Sequence, residues 1–217
     1  MKKNKCMEIE KNEVNVVNFN GLPILVKKNA YSPSKEELNH IKKLDYIPSL
    51  HKDTSLKLSK EKYILKNKKL ENIKNTFNKY VDIYKKDILQ INNKTVLLNS
   101  WTTWQTTEST HPPHVHPNVL ISLVYYTQCD DGSITFTQDR SMLCNGYAFE
   151  YDIINYNEYN SASWNLPVKT GDLIIFPGWL RHQAKNLSPD SDRYVIAANY
   201  FLKGKIGNNL DATYLEI

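Results

Sequence analysis

No run of about eighteen uninterrupted apolar residues occurs anywhere in the 217 residues of this chain, so no helical span of a bilayer is expected. The charged start Met-Lys-Lys-Asn-Lys is not followed by an apolar segment of the kind a secretory signal needs, and a cytoplasmic location with no membrane partner is the expectation. Cysteine is scarce. Cys6, Cys129 and Cys144 are odd in number and share no close spacing, which argues against a disulfide framework or a cysteine-rich zinc site and leaves three free thiols. Arginine is absent before Arg140, so the positive charge of the first half is carried by lysine alone.

That charge is uneven. Residues 1–100 hold 21 Lys and Arg against 11 Asp and Glu, a balance of +10, whereas residues 101–217 hold 7 against 12, a balance of −5. Attraction of an anionic partner such as nucleic acid is one consequence of such a half. The lysines are spread along the segment among many asparagines, however, and solvated surface positions under a compositional bias explain them as well.

The length suits one domain, read as residues 1–217, with a helical preface over 1–95, a β core over 96–205 and a tail over 206–217. Val14–Val26 carries a turn at Asn20-Gly21-Leu22-Pro23 and suggests two short strands. Ser34 and Glu37 form a capping box ahead of Leu38, Ile41 and Leu44 at helical spacing. A longer helix is expected from about Lys68 to Ile91, with Leu70, Ile73, Phe77, Tyr80, Val81, Tyr84 and Ile88 on one stripe. From Val96 the period changes to two. Val96–Thr103, Leu120–Thr127, Ser133–Thr137, Asp172–Phe176 and Arg193–Leu202 read as strands with no helix between them, which favours an antiparallel roll or barrel. Ser141–Ser163 shows neither period and is expected to form an ordered loop over the mouth of a site.

The chemistry concentrates in His111-Pro-Pro-His114-Val-His116-Pro-Asn118 and in Phe176-Pro-Gly-Trp-Leu-Arg-His182, whose histidine lies sixty-six residues after His116, with Arg193 beyond. Neutral imidazole binds iron, zinc, copper or nickel, and residues at i and i+2 of an extended strand share a face. His114 and His116 are therefore expected to reach one ion, with His182 as the third ligand. His111 is an alternative to His116, although its two prolines fix an extended turn. Glu108 is an alternative carboxylate ligand. Asn118 either bonds a bound acid or substrate through its amide or simply closes a turn after Pro117. Trp101, Trp104, Trp164 and Trp179 are expected as core or rim aromatics, and His40 and His51 as ordinary residues of the preface.

Ser100-Trp101, His114-Val-His116-Pro-Asn118 running into Ser122-Leu-Val-Tyr125-Tyr126, Gly171-Asp-Leu-Ile-Ile-Phe176-Pro177, Trp179-Leu-Arg-His182 and Arg193-Tyr-Val-Ile-Ala-Ala-Asn199 together resemble the iron(II)/2-oxoglutarate-dependent oxygenases of microbial and phage genomes. The resemblance covers roughly residues 96–201. It implies a mainly β fold with N-terminal helices and a double-stranded β-helix core of the jelly-roll or cupin kind. It implies Fe(II), 2-oxoglutarate and O2 as cofactor and cosubstrates, and hydroxylation of a substrate C–H bond with release of succinate and CO2. Carried over by position, His114 and His182 match the iron-binding histidines. Arg193, eleven residues after His182, matches the cation that clamps the far carboxylate of 2-oxoglutarate, a role its planar fork suits. Without that match, Arg193 would read as a surface residue beside Asp190 and Asp192.

Two positions depart from the wider superfamily. His116 stands where a carboxylate is usual, so three neutral imidazoles would leave Fe(II) with its full charge of +2. Val195 stands where a hydroxyl residue often assists the clamp, so that contact comes from elsewhere, with Tyr126 or Tyr125 as candidates, or is absent. The alternatives are a three-histidine metalloenzyme that does not use 2-oxoglutarate, and a non-catalytic jelly-roll binding module. The residues do not name the substrate, which can be a small molecule or a macromolecule.

Overall fold

The computed structural model describes residues 14–19, 21–50, 55–106, 109–137, 152–156, 161–186, 188 and 190–217. Cys6, Cys144, His51, Glu108, Arg140 and most of the expected mouth loop at 141–163 lie outside the described residues.

The first strands, β1 (Val14–Phe19) and β2 (Leu22–Lys27), form an antiparallel hairpin about Gly21, whose φ of 80° costs glycine nothing and other L residues a steric clash. Helix α1 (Lys35–Lys42) begins at Ser34. The Ser34 hydroxyl accepts from the Glu37 amide at 3.1 Å and the Glu37 carboxylate accepts from the Ser34 amide at 2.7 Å, the capping box read from the sequence. Two short strands, β3 (Tyr46–Pro48) and β4 (Lys57–Ser59), come next, followed by single 3-10 turns at Ile64–Lys66 and Lys68–Leu70.

Helix α2 (Glu71–Ile83) then runs into a π turn at Tyr84–Ile88, where the Leu89 amide bonds the Tyr84 carbonyl at 2.9 Å. Gln90, at φ 54°, turns the chain out of the helix, so Ile91 lies beyond it and not inside as expected. The wider turn keeps Tyr84 buried, with its hydroxyl donating to the Pro23 carbonyl at 2.8 Å.

The remaining strands are β5 (Lys94–Gln105), β6 (Thr110–His114), β7 (Ile121–Gln128), β8 (Gly132–Thr137), β9 (Ser163–Val168), β10 (Leu173–Pro177), β11 (His182–Asn186), β12 (Arg193–Lys203), β13 (Lys205–Ile206) and β14 (Leu215–Glu216). Eight strands form one sheet in the order β1-β2-β10-β7-β12-β5-β4-β3, and four form a second in the order β6-β11-β8-β9. Every ladder between these strands is antiparallel. The residues before 95 thus add β1 and β2 to one edge of the large sheet and β3 and β4 to the other, besides supplying the helices.

Alternation along the central strands decides what each face of the large sheet meets. Leu123, Tyr125, Leu173, Ile175, Ile196 and Ala198 face the helical layer and pack with Ile73, Phe77, Val81 and Tyr84. Val124, Tyr126, Ile174, Phe176, Val195 and Ala197 face the small sheet and pack with Ile134, Phe136 and Val168. Both faces are covered, which is why these strands read as nearly unbroken apolar runs. Burial of each large side chain contributes about 1.5–3 kcal/mol, and this holds the two sheets together as a jelly roll.

Candidate metal and cosubstrate site

The centre forms where the two sheets meet at one open end. His182 opens β11 and pairs in register with His114, the last residue of β6. Two residues further along β11, Ala184 pairs with His111, three residues earlier on β6. The extra residue on β6 is a bulge at the Pro112-Pro113 pair. Prolines donate no ladder hydrogen bond and are tolerated at such a place because β6 is an edge strand. The bulge brings His111 and His114 to one face, where their rings stack with centroids 4.0 Å apart.

His116 lies past the end of β6, so strand alternation does not place it as expected. Its amide donates to the Gly178 carbonyl at 2.8 Å, and the Gly178 amide donates to the Leu120 carbonyl at 3.0 Å. Gly178 has to be glycine here, since a Cβ would sit 2.7 Å from the Val119 carbonyl oxygen and 2.8 Å from the Val119 side chain. The segment so held lays the His116 ring against the large sheet. There its Nδ1 lies 2.7 Å from the Ser122 hydroxyl of β7 and 2.8 Å from the Asn199 amide oxygen of β12, residues paired across that ladder.

One ring nitrogen from each of His114, His116 and His182 falls within 4.8 Å of the others. Nδ1 of His114 bonds the Pro112 carbonyl at 2.8 Å and Nδ1 of His182 bonds the Leu180 carbonyl at 2.9 Å. With Nδ1 donating in all three rings, Nε2 is the nitrogen left to coordinate, and these oxygens fix the tautomer as supports of a metal site do. The Nε2 atoms of His114 and His116 are 3.3 Å apart. Two lone pairs at that distance repel unless a cation stands between them, so the donor set fits a divalent ion.

Burial keeps these rings neutral. Desolvation first, then the neighbouring His114, lowers the His116 imidazole to about 4, with the Asn199 hydrogen bond opposing the shift. Desolvation and the adjacent imidazoles hold His182 well below the ordinary range, and desolvation, the adjacent imidazoles and the Arg193 charge hold His111 there.

On the far side of the triad a narrow cavity of about 30 Å³ runs between the sheets. Arg193, the first residue of β12, stands on its wall and is only 1% exposed, so it is not the surface residue its acidic neighbours suggested. Its Nη1 donates to the Gln105 side-chain oxygen at 2.6 Å and its guanidinium carbon lies 4.9 Å from the centre of the Tyr126 ring. Both partners are neutral. Arg193 Nε and the Tyr126 hydroxyl are buried without a hydrogen-bond partner, and no carboxylate pairs with Arg193 among the described residues. Burying an unpaired guanidinium costs several kcal/mol, roughly, and an anion entering the cavity would offset that cost.

Val195 is flanked across its two ladders by Thr103 and Tyr126, and all three line the cavity. Burial pushes the Tyr126 hydroxyl upward, so it stays protonated and can donate. Tyr125 points the other way, into the helical layer, and donates to the Tyr31 carbonyl at 2.9 Å, which removes it as the alternative. Sequence reasoning missed Thr103 and Gln105. Both share a face with Trp101 at every second residue of β5, and that periodicity was the signal available for them.

A second, open cleft meets the triad from outside and is lined by Trp101, Asn99, Asn199, Lys62, His114 and Asn118 among others. Asn118 is exposed, with φ 62° in a turn after Pro117, and faces this cleft and not the Arg193 cavity. Of the other tryptophans, Trp104 stacks on Tyr194 at 5.9 Å, Trp164 packs against the inter-sheet core and Trp179 is exposed.

Residues 99–199 match the family model described as "Putative 2OG-Fe(II) oxygenase". No curated protein matches the chain. Among solved structures it is similar to the non-heme α-ketoglutarate-dependent epimerase SnoN of nogalamycin biosynthesis, with 11% identity, 86% of this chain and 81% of that one covered, and a TM-score of 0.62. It is also similar to HygX from Streptomyces hygroscopicus, solved with nickel, 2-oxoglutarate and hygromycin B, at 13% identity, 84% coverage of each chain and a TM-score of 0.55. A 2OG-Fe(II) oxygenase family oxidoreductase from Burkholderia pseudomallei shares 11% identity over 82% of this chain and 83% of its own, with a TM-score of 0.55. At these identities the likeness is one of fold, and it is the jelly roll described above.

Proposed function

We propose, from the match of residues 99–199 to the 2OG-Fe(II) oxygenase family model, that this chain is an iron(II)- and 2-oxoglutarate-dependent dioxygenase that hydroxylates a substrate C–H bond. The observation that carries this reading is the cavity with a three-imidazole cluster at one end and a buried, anion-deficient Arg193 on its wall. A dicarboxylic keto acid answers both ends at once. His114, His116 and His182 would hold the iron through Nε2. Arg193 would take the far carboxylate, with the Tyr126 hydroxyl donating beside it where Val195 cannot.

Bound iron, with 2-oxoglutarate and O2, supplies oxidative decarboxylation to succinate and CO2 coupled to oxidation of the substrate. The chain contributes placement. Carbonyl and amide oxygens hold the rings in one tautomer, and the apolar walls from Val124, Ile134, Val195 and Ala197 keep water from the cosubstrate. The outer cleft receives the substrate, and Asn118 belongs to that side and not to the cosubstrate. The charge of a three-imidazole face is the feature that separates this centre from one with a carboxylate ligand.

The direct test is 2-oxoglutarate binding to anaerobic, iron-loaded protein, measured in wild type and in Arg193→Met. Binding that requires both iron and Arg193 supports the oxygenase. Iron uptake without any affinity for the keto acid would favour a three-histidine metalloenzyme of another kind.

A further inference from the structure

His111 is a fourth imidazole at this centre that falls outside the ligand cluster. Its ring stacks on His114 at 4.0 Å with an angle of 21° between the planes, and it lines both the Arg193 cavity and the outer cleft. Among the described residues no hydrogen bond holds the His111 ring. Its place is set by the backbone instead, through the diproline bulge that pairs it with the small side chain of Ala184. A neutral imidazole carries one N–H, and the half-buried His111 ring, lying on both cavity and cleft, has that N–H available to an acceptor bound there.

We propose that His111 is a positioning residue for the cosubstrate, donating its ring N–H to the carboxylate at the keto-acid end of bound 2-oxoglutarate. This rests on the oxygenase reading above. The stacking contact selects the end, because a ring lying on His114 sits beside the position the metal would take. The same ring, with Trp101, His114 and His116, lines both compartments, so the keto acid it holds would lie at the boundary between cosubstrate and substrate.

The test compares 2-oxoglutarate with 2-oxobutyrate, which keeps the keto-acid end and lacks the far carboxylate. Both are titrated into anaerobic Fe(II)-loaded protein and followed by the visible charge-transfer absorption of the chelate. His111→Phe, which keeps a flat ring but no N–H, is expected to retain iron and its melting temperature and to weaken both acids about tenfold. His111→Gln, which restores a donor, recovers part of that loss. Arg193→Met behaves oppositely, removing the preference for 2-oxoglutarate over 2-oxobutyrate. The proposal is overturned if His111→Phe binds both acids as tightly as wild type, loses only 2-oxoglutarate, loses iron itself, or if the Gln variant is no better than the Phe variant. Wild type that takes up iron and binds neither acid would instead sink the oxygenase reading, and this proposal with it.

Discussion

The Arg193 guanidinium carbon lies over the Tyr126 ring, 4.9 Å from its centre, and the two residues share a cavity wall on which neither finds a negative charge among the described residues. A buried cation without a counter-charge and a protonated phenol beside it leave donors available to an anion. Tyr126→Phe removes only the oxygen. Because that hydroxyl is buried and unpartnered, folding stability is expected to stay the same or rise slightly, while 2-oxoglutarate affinity falls about tenfold. Thermal denaturation of the metal-free protein and titration of the iron-loaded protein check the two halves separately. A loss of stability with unchanged affinity would show that the hydroxyl serves the core.

Asn199 and Ser122 hold the His116 ring from the large sheet, and Ser122 also donates to Asn199 at 2.9 Å. Asn199→Leu leaves Nδ1 with one acceptor in place of two. Metal affinity is expected to fall about 10–100-fold, the usual consequence of losing such a support. Competition with a chelator of known affinity measures it, and an unchanged constant would mean that Ser122 suffices.

Gly178→Ala places a methyl group against the Val119 backbone and side chain. The strand end must shift, at about 1–3 kcal/mol, and it carries the carbonyl that holds the His116 amide. Reduced denaturant midpoint and reduced iron content are expected together. Iron content at the wild-type level would separate Gly178 from the site.

Acid should destabilise the metal-free protein. The His116 imidazole titrates at about 4 in the folded chain against an ordinary 6.5, with burial as the first cause. The unfolded chain therefore takes up the proton first, so this contribution to stability is complete above about pH 6.5 and is lost as pH falls toward 4. Its full size is about 3 kcal/mol by the same linkage, and His182 and His111 shift in the same direction. Urea midpoints of chelator-treated protein at pH 7, 6 and 5 should decline in that order. A flat series would contradict burial of neutral rings.

The strands of the large sheet were legible because their apolar alternation is strong. Ile121–Gln128, Leu173–Pro177 and Arg193–Lys203 each begin and end within a residue of expectation. Of the small sheet, β8 was legible within a residue of Ser133–Thr137 and the other three strands were not. In β6 two prolines interrupt the pattern, in β11 the run His182-Gln-Ala-Lys-Asn carries little apolar signal, and β9 starts inside the expected loop. The histidines could be grouped by type and order, yet the reason they converge lies in the β6 bulge and the Gly178 contact. Both are tertiary, and neither leaves a periodicity. Arg193 shows the same division. Its spacing from His182 marked it, while its burial beside Gln105 could be known only once β5 and β12 were paired.

The most direct measurement of the central claim is conversion of 2-oxoglutarate to succinate by anaerobically iron-loaded protein on admission of oxygen, in wild type, His116→Ala and Arg193→Ala. The account predicts succinate above a metal-free control from wild type, with its loss in both variants: in the first with reduced iron, in the second with iron retained. Succinate formed at the wild-type rate by His116→Ala, or wild-type protein that holds iron and neither binds nor consumes 2-oxoglutarate, would contradict it.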